Sequence, residues 1–399
     1  MAQHLFLENL LNGQAVEWKT VEEIFHLKNG YTPSKSQKEY WENGTVPWFR
    51  MEDIRENGQI LDDALQKVHQ NAIKGGKLFP ANSIIVATSA TIGEHALITV
   101  PYLANQRFTN LSIKEEFFDQ FDIKFVFYYC FLLCDWCKKN TTLSSFASVD
   151  MVGFKKFPFP IPPLSVQNQI VQILDAFTQL TAKLNAELDM RQKQYEYYRE
   201  LLLNFDDVNS RGGENNPFFG ENLVWRTLGE VTKYEQPTKY IVQSTEYCDE
   251  YEIPVLTAGK TFILGYTDET SGICSAAINP VIIFDDFTTA NKWVDFDFKV
   301  KSSAMKIITS ADENQFILKY IYYWLNTLPK FDNTDHKRQW ISNFSNKKIP
   351  IPPLDTQAKI VAILDKFDTL TQSISDGLPR EIELRQKQYE YYREILLSF

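Results

Sequence analysis

Arg191-Gln192-Lys193-Gln194-Tyr195-Glu196-Tyr197-Tyr198-Arg199-Glu200-Leu201-Leu202-Leu203-Asn204-Phe205 returns almost unchanged as the end of the chain, Arg385 to Phe399. Only two positions differ: Leu201 becomes Ile395 and Asn204 becomes Ser398. Near-identity over such a length marks an internal duplication, which has to be settled before the fold is read. The copies are offset by 194 residues (385 − 191), so the chain is two similar halves that end in the same helix.

Working outward, the stretch before each copy carries a helical seam. In the first it runs Ile170, Leu174, Phe177, Thr181, Leu184, Leu188, Arg191, Tyr195, Tyr198, Leu202, Phe205, with steps alternating four and three. That is a heptad seam, and a helix over 170–205 would be about 54 Å long at 1.5 Å per residue. The second copy runs Ile360, Leu364, Phe367, Thr371, Ile374, Leu378, Ile382, Arg385, Tyr389, Tyr392, Leu396, Phe399. Its offset from the first shifts from 190 (367 − 177) to 194 (392 − 198), so it holds four extra residues. An insertion of four is a stutter, and a continuous helix would gain about 6 Å from it. Gly377 and Pro379 lie inside it and predict a kink or a restart with Pro379 in the first turn.

Each helix follows a proline-rich lead-in, Phe157-Pro158-Phe159-Pro160-Ile161-Pro162-Pro163-Leu164 and Ile349-Pro350-Ile351-Pro352-Pro353-Leu354. Such proline density excludes helix and central strand and predicts extended chain. The two halves also open alike, with Trp18-Lys19-Thr20-Val21 and Trp225-Arg226-Thr227-Leu228. Between these marks lie strand-like runs at Ser83–Ala87, Leu111–Ile113, Pro254–Leu256 and Val281–Phe284, and helical runs at Phe121–Lys139 and Phe316–Leu328. A short helix over 5–12, closed by Gly13, is placed to dock where the C-terminal helix ends. Residues 206–222 are a polar Gly/Asn linker.

The 399 residues suffice for two or three domains, and 29 Phe, 19 Tyr and 8 Trp indicate packed cores rather than disorder. A net charge of −10 gives no global basic signature, so any nucleic-acid contact must rest on local patches. Five cysteines, odd in number and irregularly spaced, give no disulfide framework. The N-terminus lacks signal-peptide features, and the longest apolar run, Phe125 to Cys134, falls short of the about 20 residues a bilayer needs. These features predict a soluble protein of a reducing, cytoplasmic compartment.

The sequence resembles the specificity subunit of Type I restriction-modification systems. The match rests on Ile161-Pro162-Pro163-Leu164 and Ile351-Pro352-Pro353-Leu354, on Gln167 and Gln357, on Ile-Leu-Asp at 173–175 and 363–365, and on the paired Arg-Gln-Lys-Gln-Tyr-Glu-Tyr-Tyr-Arg-Glu helices. Gly30-Tyr31-Thr32-Pro33-Ser34-Lys35, with Tyr40-Trp41 and Trp48, is similar to the opening of a target recognition domain of that family. The resemblance implies an α+β fold with two mixed α/β target recognition domains, at 1–158 and 207–348. They would be separated by two long antiparallel helices, 159–206 and 349–399, forming a coiled-coil spacer with pseudo-two-fold repeat symmetry.

It also implies a non-catalytic subunit that reads an asymmetric bipartite site on double-stranded DNA, its halves about one turn apart, roughly 34–36 Å. The expected partners are two methyltransferase subunits and two restriction/translocase subunits. S-adenosylmethionine would reside in the former, ATP and magnesium in the latter, and no cofactor in this chain. A methyltransferase-only or Type IIB-like system, or a coiled-coil scaffold without DNA specificity, are the alternative readings.

On the DNA expectation, candidate contacts in the first domain are Lys28, Tyr31, Thr32, Ser34 and Lys35, then Thr88, Ser89 and Thr91, then Asn105, Gln106 and Arg107. Lysines suit phosphates, while amides and guanidinium suit base edges. In the second domain they are Thr238, Lys239, Lys260, Thr289, Asn291, Lys292, Lys301, Ser302, Lys337, Arg338 and Gln339. Each of these also reads as an ordinary solvated turn. The seam residues Leu174, Phe177, Leu184, Leu188, Tyr195, Tyr198, Leu202, Leu364, Phe367, Ile374, Leu378, Tyr389, Tyr392 and Leu396 are expected to line the coiled coil or face partner subunits.

Three other chemistries are set aside. Cys130, Cys134 and Cys137 share one helical face with no histidine near in sequence, which favours core thiols over zinc. Asp285-Asp286 with Asp297-Phe298-Lys299 resembles a spaced nuclease pattern but occurs in only one half. Ile278-Asn279-Pro280-Val281 lacks the second proline and aromatic of a methyltransferase motif, and no phosphate-binding glycine loop is present.

Overall fold

The computed structural model describes residues 2–142, 147–205, 217–218, 222–257, 261–329, 338–341, 343–372 and 376–399. The fold is α+β, and it divides into two compact units. One is Met1–Lys183 with Glu383–Phe399; the other is Leu184–Ile382. The division falls within the helices, so each unit holds the first half of one helix copy and the second half of the other.

The first unit is built on a five-stranded sheet in the order Phe25–Asn29, Phe108–Ile113, Ser83–Ala87, His95–Ile98, Ile60–Leu61. Ser83–Ala87 is buried on both faces, which is why it reads as an unbroken apolar run rather than an alternation. One face packs on helix Ile123–Lys139, through Phe125, Cys130, Leu133 and Cys134. The Asp122 carboxylate accepts from the Lys124 N–H to start that helix, and Lys138 and Lys139 sit in its last turn, complementing the dipole. The other face packs on Phe49, Phe79 and Tyr102.

The second unit repeats the plan. Its sheet runs Thr232–Glu235, Met305–Ser310, Val281–Asp285, Asn291–Val294, beside a smaller sheet of Ile263–Thr267, Ile253–Leu256 and Lys299–Val300. Helix Leu318–Leu325 packs into the core with Ile282, Phe284 and Ile308.

The proline lead-ins are more than extended chain. Pro158–Ile161 pairs antiparallel with Glu17–Thr20, and Lys348–Ile351 with Val224–Thr227. In both ribbons the recurrent tryptophan faces the same proline, Trp18 on Pro160 and Trp225 on Pro350. Prolines two apart withhold their missing N–H on one side only, so a two-stranded ribbon tolerates them where a central strand does not.

The repeated sequence also explains its own polar residues. The Gln167 carboxamide accepts from the Asp122 N–H (2.9 Å) and donates to Gln120 O (2.8 Å) and Pro162 O (2.7 Å). Gln357 does the same with Ile317 N–H, Gln315 O and Pro352 O. Asp175 accepts from the Tyr128 hydroxyl at 2.7 Å and Asp365 from the Tyr323 hydroxyl at 2.5 Å. These clasps fix the start of each long helix on its own unit.

The first long helix spans Leu164–Leu203 without interruption. Its seam is buried at Ile170 and Leu174 and again at Tyr195 and Leu202, with Phe205 buried just past its end; Leu184 and Leu188 are half-buried, and Tyr198 is exposed. The C-terminal helix Leu378–Leu397 returns to the first unit, where Phe177 packs on Tyr392 and Leu396 enters the core. Leu7, from helix Ala2–Leu11, joins the same core, and Phe6 contacts Tyr392. In the second unit Phe367 packs on Tyr198. Tyr389 and Leu378 are half-buried.

At the stutter the second copy does not continue as helix. It ends at Gln372 and restarts at Leu378, with Pro379 in the first turn and Gly377 at φ +84°. The 6 Å lengthening expected of continuous helix therefore does not apply. Ile374, the seam residue expected here, lies outside the described residues. No helix among the described residues is long and apolar enough to cross a membrane.

Candidate nucleic-acid interface

Antiparallel pairing brings the end of one strand and the start of the next to a single sheet edge. In the first unit Asn29 pairs with Thr109, and Ala87 with Phe108. The three candidate segments, 28–35, 88–91 and 105–107, all leave the sheet at that edge. They are laced together: Tyr31 N–H donates to Ala104 O (2.7 Å), Gly30 N–H to Phe108 O (2.9 Å), and Thr88 N–H to Arg107 O (3.0 Å). Thr32 is hydrogen-bonded to Gln106, and Asn105 donates to Thr32 at 3.4 Å. Gly30 has no room for a side chain, since a Cβ there would lie 2.3 Å from the Ala104 carbonyl oxygen. Glycine is thus what lets the first loop cross so close to the third.

Within this cluster the side chains divide into struts and free ends. The Tyr31 hydroxyl donates to Ala72 O (3.1 Å) and accepts from the Lys74 N–H (2.9 Å), and burial raises its pKa. It therefore braces the loop. Trp41 and Trp48 brace the same loop through indole donors to Ser34 O and Tyr31 O, both 3.0 Å. Thr88 is buried, its hydroxyl 2.9 Å from that of Thr109, and Thr91 is half-buried. Asn105 turns its amide oxygen inward to the Arg107 N–H at 3.0 Å. Lys28, Lys35 and Arg107 are exposed; Gln106 is exposed but bonded to Thr32, Ser34 is exposed with its hydroxyl 2.7 Å from that of Ser36, and Ser89 is half-buried.

Between the first and third loops lies a cavity of about 770 Å³. Thr32, Lys35, Gln106 and Arg107 line it, together with Lys38, Trp41, Trp48, Arg50 and Glu52, which sequence reasoning did not single out as contacts. Nothing in the local pattern marks Arg50; only the pairing of Trp48 and Phe49 with Leu103 and Ala104 brings it beside the third loop.

The second unit builds its edge the same way. Glu235 pairs with Ile307, and Asp285 with Met305. The segment after Asp285 is a tight turn in which the Asp285 carboxylate accepts from Phe287 N–H (2.9 Å) and the Thr288 hydroxyl (2.7 Å). Thr289 is buried at φ +61°. Asp286 N–H donates to Ala304 O (3.3 Å), and the Asp286 carboxylate accepts from Trp340 N–H (2.8 Å). The turns bearing Thr289, Ser302 and Gln339 thus meet. Lys292, Lys301, Ser302, Thr238 and Arg338 are exposed, and Asn291 and Gln339 half-buried. Lys239 is paired with Glu235 at 2.7 Å, which raises its pKa. Lys260 and Lys337 lie outside the described residues.

The rejected chemistries have structural explanations. Lys299 is held by Glu269 (2.9 Å) and by Ser271 O (2.6 Å), and Asp286 by buried Lys306 (3.5 Å). Cys130, Cys134 and Cys137 are buried, and burial raises all three thiol pKa values, that of Cys137 to about 12. A histidine distant in sequence does reach them: His95 Nδ1 lies 3.3 Å from the Cys134 sulfur. Burial lowers the His95 pKa to about 4. Among the described residues no His/Cys/Asp/Glu group is arranged to hold a metal.

Comparisons with known proteins agree with the duplication. A family model for the Type I restriction modification DNA specificity domain matches twice, at residues 15–190 and 221–384. The chain is 42% identical over 413 residues to the Escherichia coli Type I restriction enzyme EcoprrI specificity subunit, covering 94% of this chain and 93% of that one. It is 63% identical over 188 residues to the Escherichia coli EcoR124I/EcoR124II specificity subunit, covering 45% and 46%. A crystal structure of a Type I restriction-modification S subunit from M. genitalium aligns over 97% of both chains, with a TM-score of 0.58 at 15% identity.

Proposed function

The chain belongs to the Type I restriction-modification specificity family, and from that membership we propose that it reads an asymmetric, bipartite DNA sequence, one half with each unit. The observation that carries the proposal is the repeated three-loop edge. The same order of four strands, to which the first unit adds a fifth at one edge, delivers three polar loops to one end of the sheet in both units, yet the loop sequences differ. A shared scaffold with unlike loops suits two unlike half-sites. Lys28, Lys35, Lys292, Lys301 and Arg338 are proposed phosphate contacts; Gln106, Arg107 and Gln339 are proposed base readers. Struts such as Tyr31 and Thr88 act by holding the loops.

The chain's own part is recognition and assembly. We propose that it carries no reaction itself and binds no cofactor. Two methyltransferase subunits that use S-adenosylmethionine would dock on it, and restriction subunits that use ATP and magnesium would join them. The long helices set the number of unread base pairs between the half-sites.

Exchanging residues 16–157 for the matching segment of another family member tests this. Methylation by the assembled complex should change at one half-site and keep the other. Change at both halves, or at neither, would refute the division of labour.

A further inference from the structure

We infer that Arg50 is the guanine reader of the first unit, an inference that rests on the DNA-reading function proposed above. Arg50 follows strand Val46–Phe49 and lines the cavity between the first and third loops. Its guanidinium carbon lies 5.5 Å from the ring centroid of Trp48, a buried residue whose indole is itself fixed to the Tyr31 carbonyl. The Arg50 Nε is buried and has no hydrogen-bond partner, and its ion pair with the Glu52 carboxylate is long at 4.0 Å. Its backbone is fixed as well, the N–H donating to the buried Asp53 carboxylate at 2.6 Å. A planar, permanently charged fork is thus held against an aromatic face, its charge only loosely paired. That is the donor geometry that matches guanine O6 and N7.

The cavity favours a base edge over a phosphate. A phosphate site gathers donors alone, whereas these walls mix signs, with Glu42 and Glu52 set among Lys35, Lys38, Arg50 and Arg107. Base edges offer donors as well as acceptors, so mixed carboxylate, amide and guanidinium walls suit them. The Trp48 contact also explains why arginine and not lysine stands here: lysine offers no fork to stack or to bond twice.

The test uses the full chain assembled with a family methyltransferase and a duplex pool randomised at both half-sites, with bound duplexes sequenced. Wild type should show a guanine in the half-site that residues 16–157 determine. Arg50→Lys should lose preference at that one position by about 5–150-fold and keep every other position. Arg50→Gln should turn the preference toward adenine, the base that a carboxamide pairs with.

Unchanged preference in both variants would overturn the inference. So would uniform weakening with a shallower salt dependence, which marks a phosphate contact, or unfolding of both variants, which marks a structural arginine. A wild-type complex with no base preference would instead sink the DNA-reading function itself, and this inference with it.

Discussion

Phe177 stacks on Tyr392, with ring centroids 5.4 Å apart and planes at 26°. In the other unit Phe367 stacks on Tyr198 at 5.4 Å and 25°. These are the same two repeat positions with the copies exchanged: the early phenylalanine of one helix meets the late tyrosine of the other. A double-mutant cycle on Phe177→Leu and Tyr392→Leu should give a coupling of about 0.5–1.5 kcal/mol in thermal or urea unfolding. The cycle on Phe367 and Tyr198 should give a similar value. Simple additivity in both would show that the stacks do not join the helices.

Gln167 and Gln357 are each buried and each use both ends of the carboxamide. Gln167→Ala should leave the Asp122 N–H and the Pro162 carbonyl without their partner and cost about 1–3 kcal/mol. Gln167→Glu should be no rescue, because a carboxylate cannot donate to the two carbonyls. Hydrogen exchange should show the loosening at the start of helix Ile123–Lys139 for Gln167→Ala, and at helix Leu318–Leu325 for Gln357→Ala.

Gly377 occupies left-handed backbone, and a Cβ there would lie 2.4 Å from the Thr369 carbonyl oxygen. Gly377→Ala should therefore destabilise by about 1–3 kcal/mol, read as a fall in melting temperature. Unchanged stability would mean that the helix break is not fixed by this residue.

How far the sequence reveals the molecule is clearest at such positions. The duplication, the seam and the restart at Pro379 are legible because helices are local: their periodicity and breakers lie within a few residues. The ribbons are not, since nothing local says that Trp18 faces Pro160 across 142 positions (160 − 18). The same holds for the site. Turn chemistry marks the loops at 28–35 and 105–107, but their convergence depends on strand order. Local pattern also cannot separate Tyr31, a brace, from Arg107, a free end. Arg50 is hidden for that reason, and so is His95, whose ring nitrogens meet the Phe127 carbonyl (3.1 Å) and the sulfur of Cys134 (3.3 Å).

His95 makes the first unit acid-sensitive. Burial is the main reason its pKa falls from 6.5 to about 4; Arg393 and Lys138 add to the effect, and the Phe127 carbonyl opposes it. The unfolded chain then binds a proton between those values that the folded unit does not. Stability is complete above about pH 6.5 and declines as pH falls toward 4, by up to about 3 kcal/mol. Melting curves from pH 7 to pH 4 should show this decline, and His95→Gln should flatten it. An equal decline in the variant would place the sensitivity elsewhere.

The bipartite reading is tested most directly by a map of methylated adenines in genomic DNA from cells expressing this chain with the methyltransferase subunits proposed to dock on it. The expected result is a single motif of two short, unlike defined halves, separated by a fixed run of unread base pairs. An uninterrupted motif, a palindrome of two identical halves, or methylation without any motif would contradict it.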